Sequence, residues 1–285
     1  MKITNTPAIR YFFLLIFVFF SLISFGQNKK KPALESPYLV TWKGDGPIMG
    51  LAFGTYVGGL VNIVGVEDAS VEEVLALNKN NLKLSVNRWI TEQDSEVADG
   101  FSDGLLYGSY GGAIALFAAS DKLRNNLVPP LVVFAEAYLF TRAATFWTKS
   151  TVQRFRPYAY NPEIPLERRR KDSARTSFFS GHASTSAVIC FSTAKIFADY
   201  YPDAKAKPFV WAGAITIPLA TSYLRTQAGR HFIGDVALGY GVGAAFGILV
   251  PHFHKKAKEK SLNKTNKTTT RLYPTDNGLL FSMTF

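Results

Sequence analysis

The chain has one cysteine, Cys190, in 285 residues. A single thiol excludes an internal disulfide and any cysteine-based metal cage. Its place in an apolar run marks it as a small core residue rather than a reactive thiol. Charge is also scarce: 19% of residues are charged against 47% hydrophobic, a low share for a soluble enzyme. No internal repeat is present. No Asp/Glu/His cluster of metal-ligand type stands apart from the motifs below, so neither a metal nor another cofactor is expected. The net charge of +11 lacks the basic stripe with interleaved aromatics that would point to nucleic acid. The base falls instead in three places: Lys29 to Lys31, the stretch from Lys149 to Arg175, and Lys255, Lys256, Lys258 and Lys260 in the tail. The middle group points to an anionic substrate and the tail to solvent or a membrane surface.

Long apolar runs are what the chain has in quantity. Six of them cover approximately 47–66, 104–120, 127–148, 183–199, 208–224 and 234–250. Each is about 17–22 residues, or roughly 25–33 Å as helix, close to the hydrocarbon thickness of a bilayer. The expected fold is therefore all-α, a bundle of about six long apolar helices embedded in a membrane. Polar stretches at 27–46, 67–103 and 252–277 hold the mean hydropathy to +0.06. Gly239 and Gly243 form a GxxxG pair on the last run, a spacing that lets helices approach closely. Glu136 and Arg142 lie in the third run, where ionisable groups are costly and face the bundle interior; a Glu136–Arg142 pair is expected.

At the N-terminus, Lys2 and Arg10 precede an uncharged run from Tyr11 to Phe25, at whose end Ser24 and Gly26 form a small-x-small pattern. This reads as a signal peptide over 1–26, with an uncleaved anchor as the alternative. A polar linker over 27–46, a helical-bundle domain over 47–251 and a basic tail over 252–285 follow. Ser70 and Glu73 form a capping-box pattern within 67–103. The octet from Gly278 to Phe285 has the look of a short strand.

Three short polar blocks carry the chemistry. In the first, Lys149 and Arg156 are seven apart and precede Pro157. If the third helix continues to Arg156, both cations share one face, and Pro157 stops the helix. In the second, Ser180, Gly181 and His182 precede the fourth helix. Unpaired N–H groups at a helix start favour phosphate, Gly181 lets the backbone come close, and His182 is placed to act as a general acid. In the third, Arg225, His231 and Asp235 are spaced so that Asp235, four residues on along one helical face, accepts from an imidazole N–H of His231 and leaves the other nitrogen free to attack. Each block alone has a bland reading: a solvated basic helix end, a common tripeptide, a structural His–Asp pair.

Together the blocks resemble the type 2 phosphatidic acid phosphatase superfamily, whose pattern is K-x6-RP, PSGH and SR-x5-H-x3-D. The resemblance covers about residues 104–251. Phe179 stands where that family has Pro, and Leu224 where it has Ser, which removes one phosphate contact. The resemblance implies that His231 is the nucleophile of a phosphohistidine intermediate and that Asp235 orients it. It implies that His182 protonates the leaving oxygen and then activates water. Lys149, Arg156, Arg225, Ser180 and the Gly181 amide would hold the phosphoryl oxygens without a metal. The expected activity is a lipid or prenyl phosphate phosphatase of a bacterial-type inner membrane, its site facing the periplasm. A soluble periplasmic acid phosphatase of the same superfamily, a vanadate-binding haloperoxidase relative and a non-catalytic membrane protein that binds or transports phosphate esters are the alternatives. One tension stays open: cleavage at residue 26 with six spans puts the site on the cytoplasmic side, whereas a lysine-rich tail inside and a site outside fits the positive-inside trend better.

Overall fold

The structure, a computed structural model, describes residues 36–265, 269–275 and 278–284. The expected signal peptide at 1–26 lies outside them. Six long helices make up the bundle among the described residues: α1 (Trp42–Val64), α2 (Glu96–Ala119), α3 (Val128–Val152), α4 (Gly181–Tyr200), α5 (Lys207–Gln227) and α6 (Ile233–Thr265). Each covers one of the apolar runs to within two residues. Most extend past the run at one end or both, because polar caps and end turns are helical too. Thr41, Ser95 and Ser180 cap α1, α2 and α4 by accepting from backbone N–H groups of the first turn, and prolines sit at the first positions of α3 and α5. The linker thus gives up its last residues to α1, and α6 carries the first part of the tail. Beyond it, strands β1 (Thr269–Thr275) and β2 (Gly278–Thr284) pair antiparallel, and the final octet supplies the second of them.

The helices alternate in a way that sorts the connections. Asp99 near the start of α2 meets Arg225 near the end of α5. Tyr110 of α2 pairs with Tyr138 of α3 through their hydroxyls at 2.8 Å, and Gly59 of α1 lies against Phe146 and Trp147 of α3. The long polar connections 65–95 and 153–180 and the brief loop 228–232 therefore gather at one end of the bundle. Connections 120–127 and 201–206 lie at the other, where Tyr38, Phe117, Leu123, Val133, Ile196 and Tyr200 pack together. The capping box at Ser70 and Glu73 forms as the sequence predicts. It belongs to a cover over the first end: Ala69 N–H donates to the Arg170 carbonyl at 2.6 Å, and Arg168 makes a two-pronged pair with Asp94 at 2.8 and 2.6 Å.

Along its first half α6 lies tightly on α4. A Cβ at Gly243 would come within 2.2 Å of the Ser184 carbonyl oxygen, so the GxxxG spacing marks a true helix–helix contact. The expected Glu136–Arg142 pair does not form. Glu136 pairs with Nε2 of His254 at 2.8 Å, and Arg142 donates to Thr185 at 3.1 Å and lies over the Phe146 ring. The two residues are six apart on α3, most of two turns, so they face different neighbours. Cys190 is a half-buried free thiol that donates to Ser109 Oγ at 3.5 Å.

The outer surface of the bundle is apolar. Trp42, Phe101, Tyr107, Ile114, Phe209, Leu219, Tyr223 and Phe253 are each more than half exposed. Two helical stretches, Trp42–Val64 and Ile233–Asn263, are long and apolar enough to cross a membrane.

Candidate active site

At the end of the bundle that collects the long connections, all three polar blocks meet. Lys149 is buried in the last turn of α3 and donates from Nζ to the Thr176 carbonyl. The helix stops at Val152 because Gln153 turns left-handed, φ 45°. Arg156 is therefore not on the helix, and Pro157 does not terminate it. The chain folds back instead. Arg156 Nε donates to the Ser173 carbonyl at 2.7 Å and its Nη1 to the Arg230 carbonyl at 3.3 Å. Lys149 and Arg156 are brought together by this return and not by helical spacing.

Ser180 is the buried N-cap of α4, and its Oγ accepts from Ala183 N–H at 3.3 Å. Its own N–H donates to the Asp235 carbonyl at 2.9 Å, which locks the start of α4 to the start of α6. A Cβ on Gly181 would stand 3.7 Å from Lys149 Cε and 3.8 Å from Arg142 Nη1. The glycine thus faces two cations. His182 follows, just ahead of the apolar run 183–199.

His231 lies in the loop between α5 and α6, not on α6, which begins at Ile233. The expected hydrogen bond from one helical face is therefore not made: His231 Nδ1 is 3.9 Å from Asp235 Oδ2. Asp235 is held by others. Arg154 Nη1 donates to Oδ1 at 2.6 Å, and Ser177 Oγ and Phe232 N–H donate to Oδ2 at 2.5 and 3.0 Å. Both His231 and Asp235 are fully buried. His231 Nδ1 and the Nε atoms of Arg225 and Arg142 are buried without a hydrogen-bond partner. Buried orphan polar atoms are rare and call for a partner. Here several of them flank one cradle.

Electrostatics follow from that crowding. Burial, then the charges of Arg156, Lys149 and Arg225, push the pKa of His231 well below the ordinary imidazole range. The ring is therefore neutral near pH 7, the state a nucleophile needs. Burial and Arg225 lower His182 to about 4, while Asp103, 2.7 Å from its Nε2, works in the opposite direction. A phosphate dianion entering beside His182 favours its protonated form in the same way.

Sequence reasoning missed a set of partners. From α2, Asp99 accepts from Arg225 Nη1 at 2.5 Å and from Arg230 at 2.5 and 3.2 Å. Asp103 accompanies His182 and lies 3.6 Å from Arg225. Ser102 accepts from Arg225 at 3.1 Å. Arg154 and Ser177 hold Asp235. The i, i+4 spacing of Asp99 and Asp103 before an apolar run places both on one face of a helix start. Nothing in that pattern names the cations they meet.

A family model described as the PAP2 superfamily matches residues 130–259. That stretch contains all three polar blocks and excludes α1 and α2. No curated protein and no solved structure matches the chain.

Proposed function

The chain belongs to the PAP2 superfamily, which generally comprises phosphatases, and from that premise we propose that it hydrolyses a lipid or prenyl phosphate through a phosphohistidine at His231. The observation that carries this reading is the fully buried His231 imidazole under the charges of Lys149, Arg156 and Arg225, with Nε of Arg225 unpartnered. A tetrahedral dianion is the ligand that satisfies such a cradle.

The reaction runs in two steps. The His231 nitrogen attacks phosphorus, a P–N bond forms, and the P–O bond to the lipid breaks. The leaving oxygen keeps the electron pair and takes the proton of His182. In the second step His182 accepts a proton from water, the oxygen attacks phosphorus, and the P–N bond breaks to release inorganic phosphate. Lys149, Arg156, Arg225, Ser180 and the Gly181 N–H stabilise the charge on the equatorial oxygens. Asp235, clamped by Arg154 and Ser177, stabilises the imidazolium character that develops on His231 as its nitrogen bonds to phosphorus. The 3.9 Å separation of the two closes to a hydrogen bond when substrate settles, as catalytic contacts in free enzymes commonly do.

The membrane reading is favoured by the exposed apolar belt. Trp42, Phe209 and Phe253 at one end and Phe101, Tyr107 and Tyr223 toward the other are more than half exposed, in the manner of interfacial aromatics. A contiguous apolar surface of that extent suits lipid better than water. The cradle then lies at the headgroup level. We place it on the periplasmic side of a bacterial-type inner membrane, because Lys122, Arg124, Lys205, Lys207 and the basic end of α6 all lie at the opposite end. Basic groups at the cradle end are largely engaged: Arg154 with Asp235, Arg168 with Asp94, Arg175 with Glu73 and Arg230 with Asp99.

The test is His231→Ala in purified protein, assayed for phosphate release from phosphatidic acid, phosphatidylglycerol phosphate, undecaprenyl diphosphate and lipid A. Loss of about 10³-fold or more is expected, on the scale of removing a nucleophile, with cooperative thermal unfolding retained as the sign of an intact fold. Wild-type protein should also trap an acid-labile phosphohistidine. Undiminished turnover by the variant would defeat the assignment.

A further inference from the structure

A second constellation of ligand-type side chains lies at the opposite end of the bundle. Asp45 is in the first turn of α1, Glu136 is on α3 and His254 is on α6, and one ligand atom from each lies within 4.8 Å of the others. At about 1.5 Å per residue, His254 is roughly 28 Å along α6 from Asp235, and Glu136 roughly 20 Å along α3 from Lys149. This group therefore has no part in the phosphate cradle.

The proton positions are constrained. His254 Nδ1 is 3.0 Å from the Leu39 carbonyl, an acceptor only, so Nδ1 carries the hydrogen. In the neutral ring Nε2 then presents a lone pair. It faces Glu136 Oε2 at 2.8 Å, and two lone pairs at that distance repel unless a proton or a cation lies between them. The other Glu136 oxygen, Oε1, is buried without a partner in a side chain only 2% exposed. Asp45 Oδ1 is 3.6 Å from Nδ1 of His254, and its Oδ2 accepts from Thr41 N–H. The spare oxygen decides between the two ways of relieving the contact. Two carboxylates and an imidazolium leave Oε1 unused. Two carboxylates, a neutral imidazole and a divalent cation sum to zero and give Oε1 a ligand.

We propose that Asp45, Glu136 and His254 Nε2 form a divalent-cation site that fastens α1 to α3 and α6. One nitrogen and two carboxylates suit Zn²⁺ or Mn²⁺. Ligands bonded at about 2.1 Å stand roughly 3–3.5 Å apart around one ion, so the three ligand atoms, within 4.8 Å of one another, draw together on binding. The site is structural: Nδ1 of His254 donates to a carbonyl, the second contact that fixes a metal-binding imidazole.

The experiment uses the full chain in detergent, with any affinity tag removed, stripped with EDTA and then titrated with Zn²⁺ or Mn²⁺. About one equivalent per chain should stay bound through gel filtration, and at a hundredfold excess over Kd the Tm should rise by about 5–10 °C. Glu136→Gln, which keeps the side-chain volume, and His254→Ala should each abolish the retained equivalent and the Tm shift. Phosphate release by metal-free wild-type protein should continue below its lowered Tm, so this site and the phosphatase reading fail independently. Retention of neither metal by wild-type protein, or equal retention by both variants, would overturn the proposal, whether or not the variants fold as stably.

Discussion

Asp103 is the residue that separates the chemistry of His182 from that of an isolated imidazole. It does not touch the transferring group in the proposed reaction; it is a positioning residue. Because its carboxylate opposes the lowering by burial and Arg225, replacing it removes a raising influence. Asp103→Asn should therefore push the pKa of His182 further down. The protonated general acid is then lost at lower pH, and the alkaline limb of kcat/KM moves toward acid. A pH–rate profile reads this directly, and an unmoved limb would place Asp103 outside the proton transfer. His231 behaves differently. Its pKa is already far below the usual 6.5, so the ring stays neutral on acidification, as the proposed nucleophile requires. The wild-type profile should show no inflection near 6.5 from His231, whereas a free, unburied imidazole would give one.

Among elements, the seam between α4 and α6 holds the two histidine blocks in register. Ser180 N–H reaches the Asp235 carbonyl only because the two helix starts lie side by side, and the glycine stripe of α6 permits that approach. Gly243→Leu would drive a side chain into the Ser184 carbonyl, within 2.2 Å of its first carbon. Backbone cannot yield as a flexible side chain does, so the helices must part. A destabilisation of about 1–3 kcal/mol is expected for such overpacking, together with reduced phosphate release, because Asp235 and Ser180 separate. Thermal unfolding and activity measured on the same detergent preparation check this. Gly229, with φ +62° and a backbone oxygen of Gln93 where a Cβ would stand, plays a similar part in the loop that presents His231.

The whole molecule is a bundle with chemically distinct ends. Its cradle, its covering segments and its two long connections are at one end, and connections 120–127 and 201–206 and the basic end of α6 are at the other. A membrane crossing the apolar belt would separate them. Carbonate or high salt should leave the protein in the membrane fraction, and only detergent should release it; release by carbonate would favour a soluble enzyme. A reporter fused after residue 126, in a short connection at the basic end, should report a cytoplasmic location if the cradle faces the periplasm. A periplasmic signal there would reverse the proposed orientation.

The number and approximate bounds of the long helices were legible in the sequence because apolar runs of bilayer length are a local property. So was the set of candidate site residues, since Lys149, Arg156, Ser180, His182, Arg225, His231 and Asp235 sit at fixed spacings within short blocks. What spacing could not supply was conformation between blocks. A left-handed Gln153 ends α3 before Arg156, and α6 starts after His231, so two pairs read as neighbours on a helix meet through loops. Contacts between distant segments were also beyond reach. Asp99 and Asp103 meet Arg225 and His182 across more than seventy residues of chain, and Glu136 meets His254 across 118. Composition and local pattern determined that this chain builds an apolar helical bundle bearing phosphate-type motifs. Only tertiary packing decided which carboxylate neutralises which cation, because a buried charge takes its partner from whatever helix lies against it and not from its neighbours in sequence.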